Sequence, residues 1–133
     1  MHVKYLQKDP KTNKRLIDEF LQVCKNRPDP VNMCSIRINH ALALYLAVKQ
    51  TQPTLVVESG VDAGASTCFI RAASNTTRIF AIDPLDKPIY GQNKRWIDTN
   101  EKTTNYLGDA FVDLLGLDWT NMINNGTVDR DKH

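Results

Sequence analysis

Cysteine is scarce in this chain. There are three, Cys24, Cys34 and Cys68, and no two stand at a C-x-x-C spacing. That excludes a zinc ribbon, and an odd number does not build a disulfide framework. No long apolar run exists either. The longest, Ala41–Val48, falls far short of the roughly 18 to 20 residues that cross a bilayer. The start, Met1–Lys11, is polar and carries no signal peptide pattern, so a cytoplasmic protein without a membrane segment is expected. Charge of one sign is not in excess: 17 Lys and Arg face 15 Asp and Glu. That balance gives no footprint of nucleic-acid binding. The N-terminal part, residues 1–27, is mildly basic, with seven Lys/Arg against three Asp/Glu, which reads as a solvated helix face. The two N-x-T sequons, at Asn75 and Asn125, carry little weight without a secretion signal.

What is present is an ordinary globular composition, 41% hydrophobic and 24% charged, over 133 residues. That suits one domain. Residues 1–13 read as a loose arm. Leu16, Ile17, Phe20, Leu21 and Cys24 recur at helical spacing, predicting a helix over Lys14–Lys25 with Asn13 as its cap. Arg27-Pro28-Asp29-Pro30 ends it. A second helix is expected over Ser35–Lys49, with Ile38, Leu42, Tyr45 and Leu46 on one face, and Pro53 closing it.

Thr54–Ser59 is short, apolar and β-branched, and a glycine follows it. Unbroken apolar residues predict a strand buried on both faces, as in a parallel sheet. The loop Gly60–Gly64 comes next, then a helix over Ala65–Ser74 and a second buried strand over Arg78–Ile82, ending at Asp83-Pro84. Strand, helix and strand within about 30 residues make one parallel crossover unit, almost always right-handed. Residues 84–102 read as a long loop with a helical turn near Lys94–Ile97. Thr104–Leu107 reads as a third strand, Ala110–Leu115 and Trp119–Ile123 as helical pieces, and Asn124–His133 as free of regular elements.

The chemistry concentrates at Glu58–Thr67. A glycine directly after a buried strand lets the chain turn sharply and sets bare backbone against a ligand. Gly64, four residues on, lets a helix start close by, where free N–H groups and the helix dipole favour an anion. Asp83 closes the next strand, 19 residues after Gly64. An acid near that distance holds ribose hydroxyls in dinucleotide-binding folds. A dinucleotide fingerprint needs G-x-G-x-x-G, and Asp62 stands at its middle glycine, where its charge repels a pyrophosphate. No G-K-[ST] follows the loop, so a Walker loop is absent.

Leu55–Thr67, with Ala81–Pro84 after it, resembles the first motifs of class I S-adenosylmethionine-dependent methyltransferases: an apolar strand, an acid, then G-x-G-x-G. Glu58, Gly60 and Gly64 match; Asp62 departs at the middle glycine. Gly60 to Thr67 reads G-V-x-x-G-x-S-T, most similar to the subgroup holding cephalosporin-hydroxylase-like and sugar O-methyltransferase-like proteins. The resemblance covers roughly residues 35–123. It implies an α/β fold, the N-terminal half of a doubly wound, mainly parallel Rossmann-like sheet with two preceding helices. Residues 1–34 would be an arm and helix, and 35–133 a partial cofactor-binding domain. It implies S-adenosylmethionine as cofactor, contacted by Glu58, Gly60, Val61, Asp62, Gly64, Ser66, Thr67, Asp83 and, through Gly108-Asp109-Ala110, Asp109. Asp83 would hold the ribose. Glu58 either organises the loop and reaches the cofactor's amino end, or is a buried acid satisfied by loop N–H groups.

A small-molecule or sugar hydroxyl would be the methyl acceptor. No catalytic base is assigned: His40 reads as a surface or capping residue, His133 is terminal and His2 lies in the arm. Trp96, Tyr90 and Tyr106 read as packing residues that could also stack on adenine. Asp62, Asp83 and Asp86 have no fixed ligand spacing, so no metal is expected. The family sheet has seven strands and three are found here, with the fourth expected past His133. The chain is therefore expected to be a truncated product, a partial gene model or half of a split protein. Its bare strand edge would invite self-association. The rival expectations are a non-catalytic interaction module of the same fold and an NAD-linked oxidoreductase fragment.

Overall fold

The computed structural model describes residues 9–27, 36–85 and 95–110. Three helices and a three-stranded parallel sheet form an α/β arrangement. The order is α1 (Pro10–Lys25), α2 (Ile38–Thr51), β1 (Leu55–Ser59), α3 (Ala65–Ala73), β2 (Arg78–Asp83) and β3 (Thr103–Leu107).

α1 starts four residues earlier than its apolar spacing predicts. Its cap is Asp9, not Asn13: the carboxylate accepts from Lys11 N at 3.2 Å and Thr12 N at 3.1 Å. Pro10 fills the first turn, where a missing N–H costs nothing. An Asp-Pro pair is thus the start signal that a reading from apolar residues alone passes over. Leu16, Phe20 and Cys24 are the buried face, while Leu21 is 44% exposed. Phe20 lies between Tyr45 of α2, with centroids 5.7 Å apart, and Phe69 of α3, at 5.4 Å. One aromatic ring thus ties all three helices.

α2 begins at Ile38 and ends on Gln52, which takes the left-handed conformation at φ 43° and donates its N–H to Val48 O. Its buried residues are Ala41, Tyr45, Leu46 and Val48. Ile38 is 53% exposed, so it does not share their face as expected. His40 is exposed on this helix.

β1 pairs in parallel with β2, and β2 with β3, so the strand order is β1-β2-β3. β1 aligns Val56 with Ile79 and Glu58 with Ala81. These residues share the face that the helices cover, and Ile79 and Ala81 are fully buried there. The other face differs from expectation. Leu55 and Val57 are 45% and 57% exposed, so β1 is buried on one face only among the described residues. Phe80 and Tyr106 meet edge-on across that face, 5.9 Å between centroids.

The connection from β2 to β3 is pinned to α3. Arg95–Asn100 is irregular, without the expected helical turn; Lys94 lies outside the described residues. Arg71 of α3 reaches it. Its Nε donates to Asp98 at 2.8 Å, Nη2 to Thr103 Oγ1 at 2.8 Å, and Nη1 to Ser74 O and Thr77 O. Burial alone would raise the Asp98 carboxyl. The hydrogen bonds from Thr103, Arg71 and the Asn100 N–H, with the guanidinium charge, outweigh it and hold the carboxyl below its ordinary value.

Asp109 and Ala110 open a helical turn after Gly108. The rest of the Ala110–Leu115 expectation, Trp119–Ile123, Asn124–His133, and Cys34, Asp86 and Tyr90 lie outside the described residues, as do residues 1–8. No helix among the described residues is long and apolar enough to cross a membrane.

Candidate functional site at the carboxyl edge of the sheet

β1, β2 and β3 all end on one side, where the Gly60–Gly64 turn, Asp83 and Gly108 come together. Gly60 N donates to Ile82 O at 2.8 Å, and Gly108 N donates to Asp83 O at 2.9 Å. The turn leaves β1, and α3 begins at its far end on Gly64, with no side-chain cap.

The two glycines do different work. Gly60 has φ +84°, and a side chain there would meet nothing within 4 Å. Its conformation requires glycine, and its open side is bare backbone. Gly64 has φ +89°, and a Cβ there would lie 2.2 Å from the Trp96 carbonyl oxygen. That glycine exists so that another backbone segment can pass. Asp62, at the family's middle glycine, also has positive φ, 45°. Aspartate is one of the few side chains that tolerate this region. The departure from G-x-G-x-G therefore keeps a glycine-like backbone and adds a charge.

Asp83 is 5% exposed and turned into the loop. Oδ2 accepts from Val61 N at 2.8 Å and Asp62 N at 2.9 Å, and Oδ1 accepts from Leu85 N at 2.8 Å. Three backbone donors on one carboxylate make it the organiser of the turn. Glu58 is buried below, accepting from the hydroxyls of Ser66 and Thr67. Burial pushes its carboxyl up. The Ser66 and Thr67 hydroxyls oppose that shift, and the Asp83 charge adds to it. Hydroxyls, rather than the loop N–H groups expected for a buried acid, are the donors to Glu58.

The nine residues expected to contact a cofactor are thus brought together in a graded way. Gly60 spends its N–H on Ile82 O and leaves its Cα side open among the described residues. Val61, Asp62, Ser66 and Thr67 spend an N–H or a hydroxyl on Asp83 or Glu58. Gly64 is covered by Trp96. Asp109 is exposed beside Gly108, which turns at φ 59°. For a nucleoside-type cofactor the fit rests on the open Cα side of Gly60 and the uncapped start of α3, since Asp83 already holds the loop and Glu58 the first turn of α3. Among the described residues no cluster of three or more His, Cys, Asp or Glu side chains could hold a metal. Tyr106 is partly buried and packs edge-on against Phe80, on the sheet face opposite the core.

Arg95 is the residue at this turn that sequence reasoning missed. Its side chain is 4% exposed and lies against the turn. Nε donates to Asp62 O, Nη1 donates to Leu85 O at 2.9 Å, and Nη2 stands 3.5 Å from Asp83 Oδ2. Trp96 N donates to Ala63 O at 2.8 Å. A cation 12 residues past Asp83, in a polar stretch, leaves no periodic signal in the sequence. Comparison of the chain with protein-family models, curated proteins and solved structures returns no match.

Proposed function

We propose that this chain is a class I methyltransferase-like protein, the N-terminal half of a doubly wound sheet, whose Gly60–Gly64 turn takes S-adenosylmethionine. The observation that carries the reading is Gly60, at φ +84°, with an open side at the carboxyl end of β1 and Asp83 at the end of the neighbouring strand. Ligands of open α/β sheets bind at that edge. The parallel β1–α3–β2 unit supports it, as does the uncapped helix start, which favours a carboxylate.

In this reading the Gly60 backbone and the α3 start hold the cofactor's amino-acid end, and Asp109 stands by the adenine. The bound cofactor supplies an electrophilic methyl group on a sulfonium. The chain's own residues contribute alignment. Asp83 acts indirectly, by holding the turn, and Glu58 by holding the first turn of α3. The acceptor is a small-molecule or sugar hydroxyl, and the protein is placed in the cytoplasm.

A second reading has a specific observation behind it. Asp83 and Glu58 each accept hydrogen bonds from within the fold, and β1 leaves Leu55 and Val57 exposed. A non-catalytic module that associates through β1 fits those facts. Calorimetric titration with S-adenosylhomocysteine, with NADH as control, separates the two. Saturable binding to the first ligand alone supports the methyltransferase reading. Absence of binding to both, in folded protein, refutes it and favours the module.

A further inference from the structure

We propose that Arg95 is the positioning residue of the Gly60–Gly64 turn, holding it in the shape that offers Gly60 to a ligand; the ligand part of this rests on the methyltransferase reading above. The turn has a donor side and an acceptor side. Asp83 gathers the donors, Val61 N and Asp62 N. Nothing on β1 or β2 gathers the carbonyls. Arg95 does so, donating from Nε to Asp62 O and from Nη1 to Leu85 O, one on either side of Asp83 in sequence. Its third nitrogen faces the Asp83 carboxylate at 3.5 Å and is buried without a hydrogen bond among the described residues.

The planar fork of a guanidinium reaches the two carbonyls from separate nitrogens while its charge faces the carboxylate, whereas an ammonium offers a single nitrogen. The next residue repeats the grip, since Trp96 N donates to Ala63 O and Trp96 O packs on Gly64. Arg95 also offsets the cost of a turn that holds Asp62 at φ 45°. Without it, Asp83 is a buried carboxylate lacking its counter-ion, and the Asp62 carbonyl loses its donor. The turn would then sample other shapes while the sheet remains.

The test compares the natural chain with Arg95→Met and Arg95→Lys by amide hydrogen exchange and by titration with S-adenosylhomocysteine. Ile79, whose N–H donates to Lys102 O far from the turn, is the internal control. In Arg95→Met, exchange at Val61 and Asp62 should rise at least about tenfold relative to Ile79, as loss of a charge-assisted hydrogen bond implies. Arg95→Lys should fall between, since it keeps the charge but not the fork. Affinity for S-adenosylhomocysteine should drop about 10- to 100-fold in Arg95→Met. Should Arg95→Met fail to fold, Arg95→Lys carries both readouts, with smaller shifts expected. If the natural chain binds no S-adenosylhomocysteine, the methyltransferase reading fails, and the exchange rates decide the role of Arg95 by themselves. Unchanged exchange at Val61 and Asp62 relative to Ile79, or undiminished affinity in a variant of a chain that binds, overturns the proposal.

Discussion

Replacing Arg71 by methionine tests whether the β2–β3 connection is held to α3 by one buried ion pair. The side chains of Arg71 and Asp98 are 11% and 5% exposed, so solvent screens them little. The substitution keeps the aliphatic stem and removes four donated hydrogen bonds, to Asp98, Thr103, Ser74 O and Thr77 O. Removing one partner of a buried pair costs about 3–5 kcal/mol, because the other charge stays buried without it. Among the described residues Asp98 then keeps the Thr103 hydroxyl and the Asn100 N–H alone, so the full range applies. A domain of this size has a total stability of about 5–15 kcal/mol. Thermal unfolding followed by circular dichroism should therefore show a melting temperature lower by roughly 10–20 °C. Arg71→Met combined with Asp98→Ala should cost less than the sum of the single changes, with a coupling of about 1–3 kcal/mol. The pH dependence gives a second check. The Asp98 carboxyl lies below its ordinary 3.8 when folded, so its contribution is present above 3.8 and is lost as pH falls through the folded value. That acid-side loss should vanish in Asp98→Ala. A single Arg71→Met cost under about 1 kcal/mol, or strict additivity with Asp98→Ala, would refute the reasoning.

Gly64→Ala should destabilise by about 2–5 kcal/mol in urea unfolding, since its Cβ would meet the Trp96 backbone at 2.2 Å and the φ is unfavourable as well. Gly60→Ala meets only the backbone cost, about 1–2 kcal/mol, and equal losses at the two sites would contradict the division of roles. Glu58 has a raised carboxyl, so the folded chain binds its proton more tightly than the unfolded chain. Stability is then greatest below 4.5 and falls as pH rises from there through the folded value; Glu58→Gln should abolish that slope in urea titrations run at a series of pH values. Val57→Lys should reduce concentration-dependent association in sedimentation velocity if β1 is the contact, and an unchanged profile would remove β1 from the interaction-module reading.

The parallel unit was legible because its signals are local. Apolar β-branched residues, a glycine after the strand and an acid closing the next strand together point to β1, α3 and β2, and the observed bounds differ by a residue at most. β3 likewise begins one residue before its expected start. The misses have physical reasons. The start of α1 lies in an Asp-Pro pair outside the apolar pattern. The exposure of Leu55 and Val57 is decided by what covers the sheet, which no strand encodes in its own residues.

The candidate site shows the same split at finer grain. Candidate residues could be named from the sequence, because chemistry-bearing types cluster at the three strand ends. Their duties could not, because a carboxylate's duty depends on which donors reach it. Asp83 reads as a ribose ligand by spacing, yet in the fold three N–H groups and Arg95 already surround it. Gly64 reads as a place for a ligand, yet Trp96, 32 residues further along the chain, lies there. The Gly64 contact comes from the 95–96 segment, which carries no motif, and the donors to Asp83 come from the backbone of Val61, Asp62 and Leu85. In the proposed reading a ligand at this edge meets the open side of Gly60 and the start of α3, while Asp83 acts through the turn. Asp83→Ala would then weaken binding by loosening the turn. Amide exchange at Val61 and Asp62 would rise along with it, which loss of a direct ribose contact alone would not produce.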